Sequence, residues 1–309
     1  MILIITHKLD FTADFVINKL NGLNLAYLRL NCEDLLTTPL YVIDTKSGLE
    51  IEFEQLPPVN SIWFRRTQIP DLPGLSMEER SYFYREFDAL IDNISCSLSE
   101  KKWLSNPFAL RQAESKTLQL RLAQITGFLI PATLVTNNKI RLQEFFNKNT
   151  QTIIKPMYSG RVVGPDDSNL FFTSLITQDK IDQLADYFLT PCIYQEYIEK
   201  EYELRVTVVE NDIYTVKIHS QTDQETETDW RRGKPLLTIY ELPADIKQKC
   251  LDLCAGLHIN FGAIDLIRSK TGEYIFLEIN PNGQWAWIEM ATGLPISKSI
   301  IKYLTDEPA

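Results

Sequence analysis

Two carboxylates set inside apolar runs are the residues of this sequence best placed to do chemistry. Asp265 lies in Gly262-Ala263-Ile264-Asp265-Leu266-Ile267, and Glu278 in Ile275-Phe276-Leu277-Glu278-Ile279. Both runs read as strands, and Ser269-Lys270-Thr271-Gly272 joins them as a hairpin in which Arg268 pairs with Glu273. That register sets Asp265 opposite Phe276, with Glu278 and then Asn280 on the same face, because strand side chains alternate. A solvated polar face is the plainer reading, but the apolar flanks weaken it. Buried carboxylates need cations. Oxygen ligands without thiolate or imidazole favour Mg²⁺, which takes one or two carboxylates together with substrate phosphates.

A pair of lysines extends the picture. Lys155 ends the strand Thr152-Ile153-Ile154-Lys155 and leads into a loop bearing Gly160 and Gly164. A lysine there can hold phosphate oxygens while the backbone donors of the loop cover them. Lys116, at the end of Arg111-Gln112-Ala113-Glu114-Ser115-Lys116, can act in the same way. Either lysine alone reads as a surface residue. Together with the acidic hairpin they make a nucleotide site. It is not a P-loop, since Tyr158-Ser159-Gly160 lacks the glycine, lysine and hydroxyl spacing, and no dinucleotide glycine fingerprint follows the first strand. Downstream, Tyr194-Gln195-Glu196-Tyr197-Ile198 reads as a strand entering a polar segment that carries Glu201, Glu203 and Arg205.

The elements that must position these residues are those of an ordinary globular protein. The 309 residues are 44% apolar and 23% charged, with 31 Lys plus Arg against 41 Asp plus Glu and a net charge of −10. Bulk charge argues against a nucleic-acid partner, and no apolar stretch approaches membrane-spanning length. Met1-Ile2-Leu3-Ile4-Ile5-Thr6 reads as a first strand rather than a signal segment. Five cysteines without a dense framework suit reduced thiols in a cytoplasm.

Strands over 2–5, 25–30 and 62–64, a helix near 11–20 and a long helix through Phe83, Phe87, Leu90, Ile91, Ile94 and Leu98 predict a small N-terminal α/β domain with parallel pairing, residues 1–105. Asn106 caps the next helix, with Pro107 in its first position and Gly127 closing it. A central unit over 106–196 follows: strands near 132–136, 152–155, 169–173 and 193–198, with helices over 139–148 and 179–188. The rest, 197–309, has a hairpin of 202–209 with 213–220, a polar loop over 221–234, a helix over 244–258, the acidic hairpin and a last helix from Pro295.

In this order the pieces resemble an ATP-grasp ligase over roughly residues 105–304. The match rests on Lys116, on Lys155 before a glycine-bearing loop, on the Gln195-Glu196-Tyr197-Ile198 linker, and on the Asp265 strand paired with Leu277-Glu278-Ile279-Asn280-Pro281-Asn282. The resemblance implies the α/β (α+β) ATP-grasp fold behind a small N-terminal domain, with ATP between the two halves of the grasp. Lys116, Lys155 and the Gly160 loop would hold its phosphates. Gln195, Glu196 and Ile198 would hold the base, Glu203 the ribose, and Asp265, Glu278 and Asn280 the Mg²⁺. Trp63-Phe64-Arg65-Arg66, the run from Ser105-Asn106-Pro107 through Ser115-Lys116, Asp229-Trp230-Arg231 and Asn282-Gly283-Gln284-Trp285 are similar to the microviridin-type graspetide synthetases. Those cytoplasmic enzymes, taken as homodimers, join Asp or Glu side chains of a ribosomal precursor peptide to Thr or Ser hydroxyls, or Lys amines, as macrocyclic ω-esters or ω-amides. The implied partner is that peptide, with a leader recognised apart from its acidic core; the long helix at 77–98 and the 158–190 region are candidate surfaces for the leader. The resemblance implies acyl-phosphate activation, which needs cations around the triphosphate and the incoming carboxylate.

Arg205, Lys217, His219, Arg231 and Arg232 are the candidates, with Arg231 first, because its loop can fold over a cleft. A three-residue turn in the 202–220 hairpin would face Arg205 with Lys217 and Glu203 with His219. His219 can alternatively serve as general base. Arg65 and Arg66 either bind peptide or pair with surface carboxylates. Cys250, Cys254 and His258 have zinc-like spacing without a fourth ligand and read as core packing. Trp285, Trp287 and Ile288 either wall the substrate or pack. Two other functions share parts of this pattern: an intermolecular ligase adding amino acids to a protein or small molecule, and an ATP-binding regulator without turnover. The intact acidic set argues against the regulator.

Overall fold

The computed structural model describes residues 1–36, 42–43, 51–52, 58–67, 72, 74–149, 151–158, 161–163, 168–170, 173–185, 187–223 and 225–305. The chain opens with β1 (Ile2–Thr6), α1 (Phe11–Gly22), β2 (Tyr27–Asn31), the short β3 (Val42–Ile43) and β4 (Ile51–Glu52), β5 (Ser61–Phe64), α2 (Met77–Ser97) and β6 (Lys102–Ser105). Among the described residues, β2, β1, β5 and β6 lie side by side in that order, all parallel. Every residue of β1 is buried, as its unbroken apolar run requires of a central strand covered on both faces. One face packs Leu3, Ile5 and Ile62 against Phe87, Ile91 and Ile94 of α2. The other packs Ile2, Ile4 and Trp63 against α1 and against Trp285, Ile296 and Ile300 from the chain's end.

The second part holds α3 (Pro107–Ala113), α4 (Lys116–Ile125), β7 (Thr133–Asn138), α5 (Lys139–Lys148), β8 (Thr152–Lys155), β9 (Arg161–Val163), β10 (Ser168–Leu170), β11 (Ser174–Ile176), α6 (Gln178–Asp182) and β12 (Tyr187–Glu196). Its main sheet runs β11-β8-β12-β7, antiparallel throughout. The third part holds β13 (Lys200–Val209), β14 (Asp212–Ile218), β15 (Leu237–Ile239), α7 (Ala244–Gly256), β16 (Phe261–Ser269), β17 (Tyr274–Asn280), α8 (Ala286–Thr292) and α9 (Ile296–Thr305). Its antiparallel sheet runs β15-β14-β13-β16-β17.

The structure departs from the sequence reading at several points. The helix expected from Pro107 to Gly127 is two helices, because Ser115 takes an extended backbone (ψ 104°) after Ala113. Asn106 caps the first of them, accepting from Phe108 N at 2.9 Å. The helix expected over 179–188 ends at Asp182, and the chain is already a strand at Tyr187. The β-rich run Tyr194 to Glu196 propagates back along β12 to Tyr187, through a register shift between Tyr187 and Cys192. Cys250 and Cys254 are buried in a core with Ile246 and Leu253, where burial pushes both thiols up; His258 is exposed on a left-handed backbone (φ 56°). That is packing, as the apolar stripe implied.

Candidate functional site

A cleft of about 260 Å³ opens between the two antiparallel sheets. Its floor is one rung across three strands: Arg205 on β13 pairs with Asp265 on β16, which pairs with Glu278 on β17. The expected register does not form. Arg268 pairs with Tyr274 rather than Glu273, and a bulge follows at Leu277, between Leu266↔Phe276 and Asp265↔Glu278. The bulge changes which side chains share a face. Phe276 goes into the core while Leu277, Glu278 and Asn280 line the cleft. Two carboxylates thus stand side by side, where an unbroken ladder would have set an aromatic ring against Asp265.

Cations surround this pair. Arg205, buried on β13, donates from Nη1 to both oxygens of Asp265, at 3.0 and 2.9 Å. Lys116 Nζ lies 2.7 Å from Glu278 Oε2. It begins α4, where the positive end of the helix dipole disfavours a cation and favours an anion. Lys155 enters from β8. Burial pushes the Glu278 carboxyl up, yet the lysines at 116 and 155 prevail and hold it at about 2. Burial leaves the Asp265 carboxyl above its ordinary range against the pull of Arg205, with the Glu278 charge adding to the rise. The same burial lowers Lys155 to about 8 despite Glu278. A lysine that must be charged to hold phosphate then loses grip as pH rises past that value. MgADP affinity, measured by calorimetry from about pH 7 to about pH 9, should fall with rising pH, and should stay flat in Lys155→Arg.

The side wall is the Gln195-Glu196-Tyr197-Ile198 linker, all of it lining the cleft. Gln195 donates to Thr133 Oγ1 at 2.9 Å, and its buried Oε1 accepts from nothing among the described residues. Glu196 N and Tyr197 N donate to Ala132 O and Gln151 O, which fixes the linker backbone. Glu203 is 5% exposed with Lys200 Nζ at 2.9 Å; burial raises its carboxyl and Lys200 opposes the rise. A register shift between Lys200 and Tyr202 brings these two residues to one face, a signal absent from plain alternation, and Lys200 was not foreseen. Gly160 lies outside the described residues.

Thr228, Asp229, Trp230 and Arg231 of the polar loop line the cleft mouth. Asp229 accepts from Arg231 Nε at 2.8 Å and Nη2 at 2.6 Å, and from Thr173 N at 3.3 Å. Arg232 donates to Thr173 O at 3.1 Å and Ser174 Oγ at 3.2 Å, so the loop is fastened to the start of β11. The hydrogen bonds to Asp229 raise the Arg231 guanidinium, with Glu278 and Asp265 adding to the rise. Trp230 and Trp287, ring centres 5.4 Å apart, line the cleft with Arg66 and Gln284. Trp285 instead packs in the core against Phe15.

Lys217 and His219 are not brought to the cleft. Val209 pairs with Asp212, leaving the two-residue turn Glu210-Asn211 with Glu210 at φ 54°. Arg205 therefore faces Val216, and Lys217 faces Leu204. Lys217 Nζ rests 3.8 Å from the centre of the Tyr202 ring, and His219 Nε2 lies 3.1 Å from Thr238 Oγ1. Arg65 pairs with a carboxylate, but in the interior and not at the surface. It is 1% exposed, 3.2 Å from Asp10, and donates to Asn282 Oδ1 at 2.9 Å and Gln284 Oε1 at 3.2 Å, while Arg66 alone reaches the cleft. Gly283 lets the same turn lie against the cleft floor: a Cβ there would stand 2.6 Å from Ala263 Cβ and 2.7 Å from Arg205 Nη2.

The profile of the RimK-like ATP-grasp domain matches residues 113–304. The chain belongs to the RimK-like ATP-grasp family. Solved structures of similar proteins extend the likeness over the whole chain. A Chryseobacterium gregarium RiPP-associated ATP-grasp ligase, in complex with ADP and a leader and core peptide, is 30% identical over 100% of this chain and 97% of its own, with a TM-score of 0.86. The Microcystis aeruginosa macrocyclase MdnC, bound with precursor peptide MdnA, is 28% identical over 98% of both chains, with a TM-score of 0.85. MdnB, a macrocyclase of the same organism, is 28% identical over 98% of both chains, with a TM-score of 0.77. No curated protein matches the sequence significantly.

ATP-grasp enzymes are ATP-dependent ligases that use ATP and Mg²⁺, and the donors present here suit both. Among the described residues no group of three or more His, Cys, Asp and Glu gathers as a metal cage. Paired carboxylates beside an amide oxygen instead suit an ion that completes its octahedron with phosphate oxygens. The orphaned Oε1 of Gln195, within the linker, suits a base carrying an N–H donor.

Proposed function

We propose that this ATP-grasp ligase macrocyclises a ribosomal precursor peptide, joining its Asp or Glu side-chain carboxylates to Thr or Ser hydroxyls as ω-esters. The observation that carries this reading is Arg231, held by Asp229 at the mouth of the cleft whose floor is the Asp265–Glu278 pair. A guanidinium so held suits an incoming carboxylate and the charge that develops as it reacts.

Lys116 and Lys155 would hold the phosphates, Gln195, Glu196 and Ile198 the base, Glu203 the ribose, and Asp265, Glu278 and Asn280 the Mg²⁺. When bound, ATP with Mg²⁺ supplies the phosphoryl group that activates the peptide carboxylate as an acyl phosphate. Arg205 orients Asp265 through hydrogen bonds to both its oxygens. Arg231 would steady the carboxylate, and the Trp230–Trp287 wall would shield the carbonyl carbon from water while the hydroxyl oxygen bonds to it and phosphate leaves, the phosphate taking the electron pair of the broken C–O bond and the hydroxyl proton. The peptide-bound relatives, similar over nearly the whole chain, support a peptide as the partner. We take the assembly to be a homodimer, for which exposed Leu236, Ile239 and Met290 on and beside neighbouring β15 and α8 offer an apolar face. We place it in the cytoplasm, because Cys96, Cys192, Cys250 and Cys254 are free thiols.

The test is the intact mass of the acidic, Thr-containing peptide encoded beside this gene, after incubation with enzyme, ATP and Mg²⁺. Loss of whole waters, regained in mild base, is the expected result. Water loss that resists base makes the bonds amides, and unchanged mass with ADP released on adding free amino acids replaces macrocyclisation with intermolecular ligation.

A further inference from the structure

Among the described residues strand β17 is the edge of its sheet, and its outer N–H and C=O groups meet no further strand. Leu129 serves one end, accepting from Phe276 N at 2.9 Å. At Ile279 a side chain takes the place of a strand. Gln119 Oε1 accepts from Ile279 N at 3.1 Å, and Gln119 Nε2 donates to Ile279 O at 2.9 Å. Nε2 donates also to Ala113 O at 2.6 Å. The amide is 3% exposed, and both its donor hydrogens are in use.

What it joins gives these contacts their meaning. Ile279 sits between Glu278 and Asn280. Ala113 ends α3, and Lys116 starts α4 on the far side of the break at Ser115. We propose that Gln119 is a positioning residue for the phosphate and metal site, a single amide that ties the peptide bearing Glu278 and Asn280 to the helix break bearing Lys116. It thereby keeps Lys116 Nζ at 2.7 Å from Glu278 Oε2. Only glutamine meets these demands. Asparagine is a methylene too short, glutamate would turn a carboxylate toward two carbonyl oxygens, and methionine fills the space but leaves three buried backbone groups unpaired.

This inference rests on the nucleotide and Mg²⁺ site and not on the peptide, so it is tested without peptide. The variants are Gln119→Met and Gln119→Glu, each made with and without Lys116→Met. Calorimetry with MgADP and amide exchange at Ile279 in the ligand-free protein are the readouts. Gln119→Met should weaken MgADP by about tenfold to a hundredfold, as loss of a ligand-orienting partner does, and expose the Ile279 amide to exchange. Adding Lys116→Met should then cost little more, since both changes act on one contact. Affinity within about twofold of the parent, or losses that multiply in the double variant, would overturn the proposal. Should Gln119→Met not fold, Gln119→Glu, which keeps the shape and the acceptor, carries the same comparison.

Discussion

Gln in place of Glu278 is expected to lower product formation by more than about a hundredfold, since loss of partners that merely orient a metal ligand already costs up to that factor. The change is isosteric and lies in a strand held by its bulge and by pairing to β16, so the circular dichroism spectrum should be that of the parent. The loss has two causes. A neutral amide is a poorer Mg²⁺ ligand than a carboxylate, and Lys116 loses the partner that holds it, leaving two lysines beside a single carboxylate, Asp265. Peptide mass and ADP release, followed over a Mg²⁺ titration, check both. Turnover at the parental level would remove Glu278 from the metal site and with it the reading of the β16–β17 hairpin.

Arg231→Met should separate binding from chemistry. Arg231 lies at the mouth of the cleft, and its charge is held by Asp229 rather than by the floor. Turnover should fall by about a hundredfold to a thousandfold, the range for losing one preorganised donor to developing charge. MgADP affinity should stay within about twofold, as for a residue that contributes to the transition state and little to the ground state. Arg231→Lys should recover little, because an ammonium cannot reproduce the two-pronged contact to Asp229 and the carboxylate together. Kd for MgADP and kcat for the peptide, measured on the same preparation, decide it. Loss of nucleotide affinity in step with turnover would make Arg231 a phosphate ligand.

Much of this site was legible in the sequence, for identifiable reasons. Asp265, Glu278 and Lys155 stood out because a charge inside a strand's apolar run is costly unless something pairs with it. The hairpin register was not legible: the bulge at Leu277 accompanies the burial of Phe276, and period-two counting carries no trace of it. The same limit misplaced Lys217, whose face depends on whether the turn at Glu210 has two residues or three. Lys200 and Gln119 act through a bulge and through an edge strand, and neither leaves a pattern in residue spacing. Arg65 illustrates the opposite error. Read as either a peptide ligand or the partner of a surface carboxylate, it lies buried among Asp10, Asn282 and Gln284, partners far apart in the chain.

That buried arginine also sets a rule for recombination. The sheet of the first hundred residues shares one apolar core with α9, and Ser61 Oγ donates to Leu304 O at 2.6 Å. Arg65 extends this dependence into the turn that leaves the acidic hairpin. A chimera that exchanges the N-terminal segment between two such ligases at the apparent seam near Ser105 would inherit Arg65 from one parent and Asn282 and Gln284 from the other. Compatible grafts must therefore carry both ends of the molecule together, because a crossover placed by domain boundary alone leaves Arg65 with Asp10 but without matched acceptors at Asn282 and Gln284.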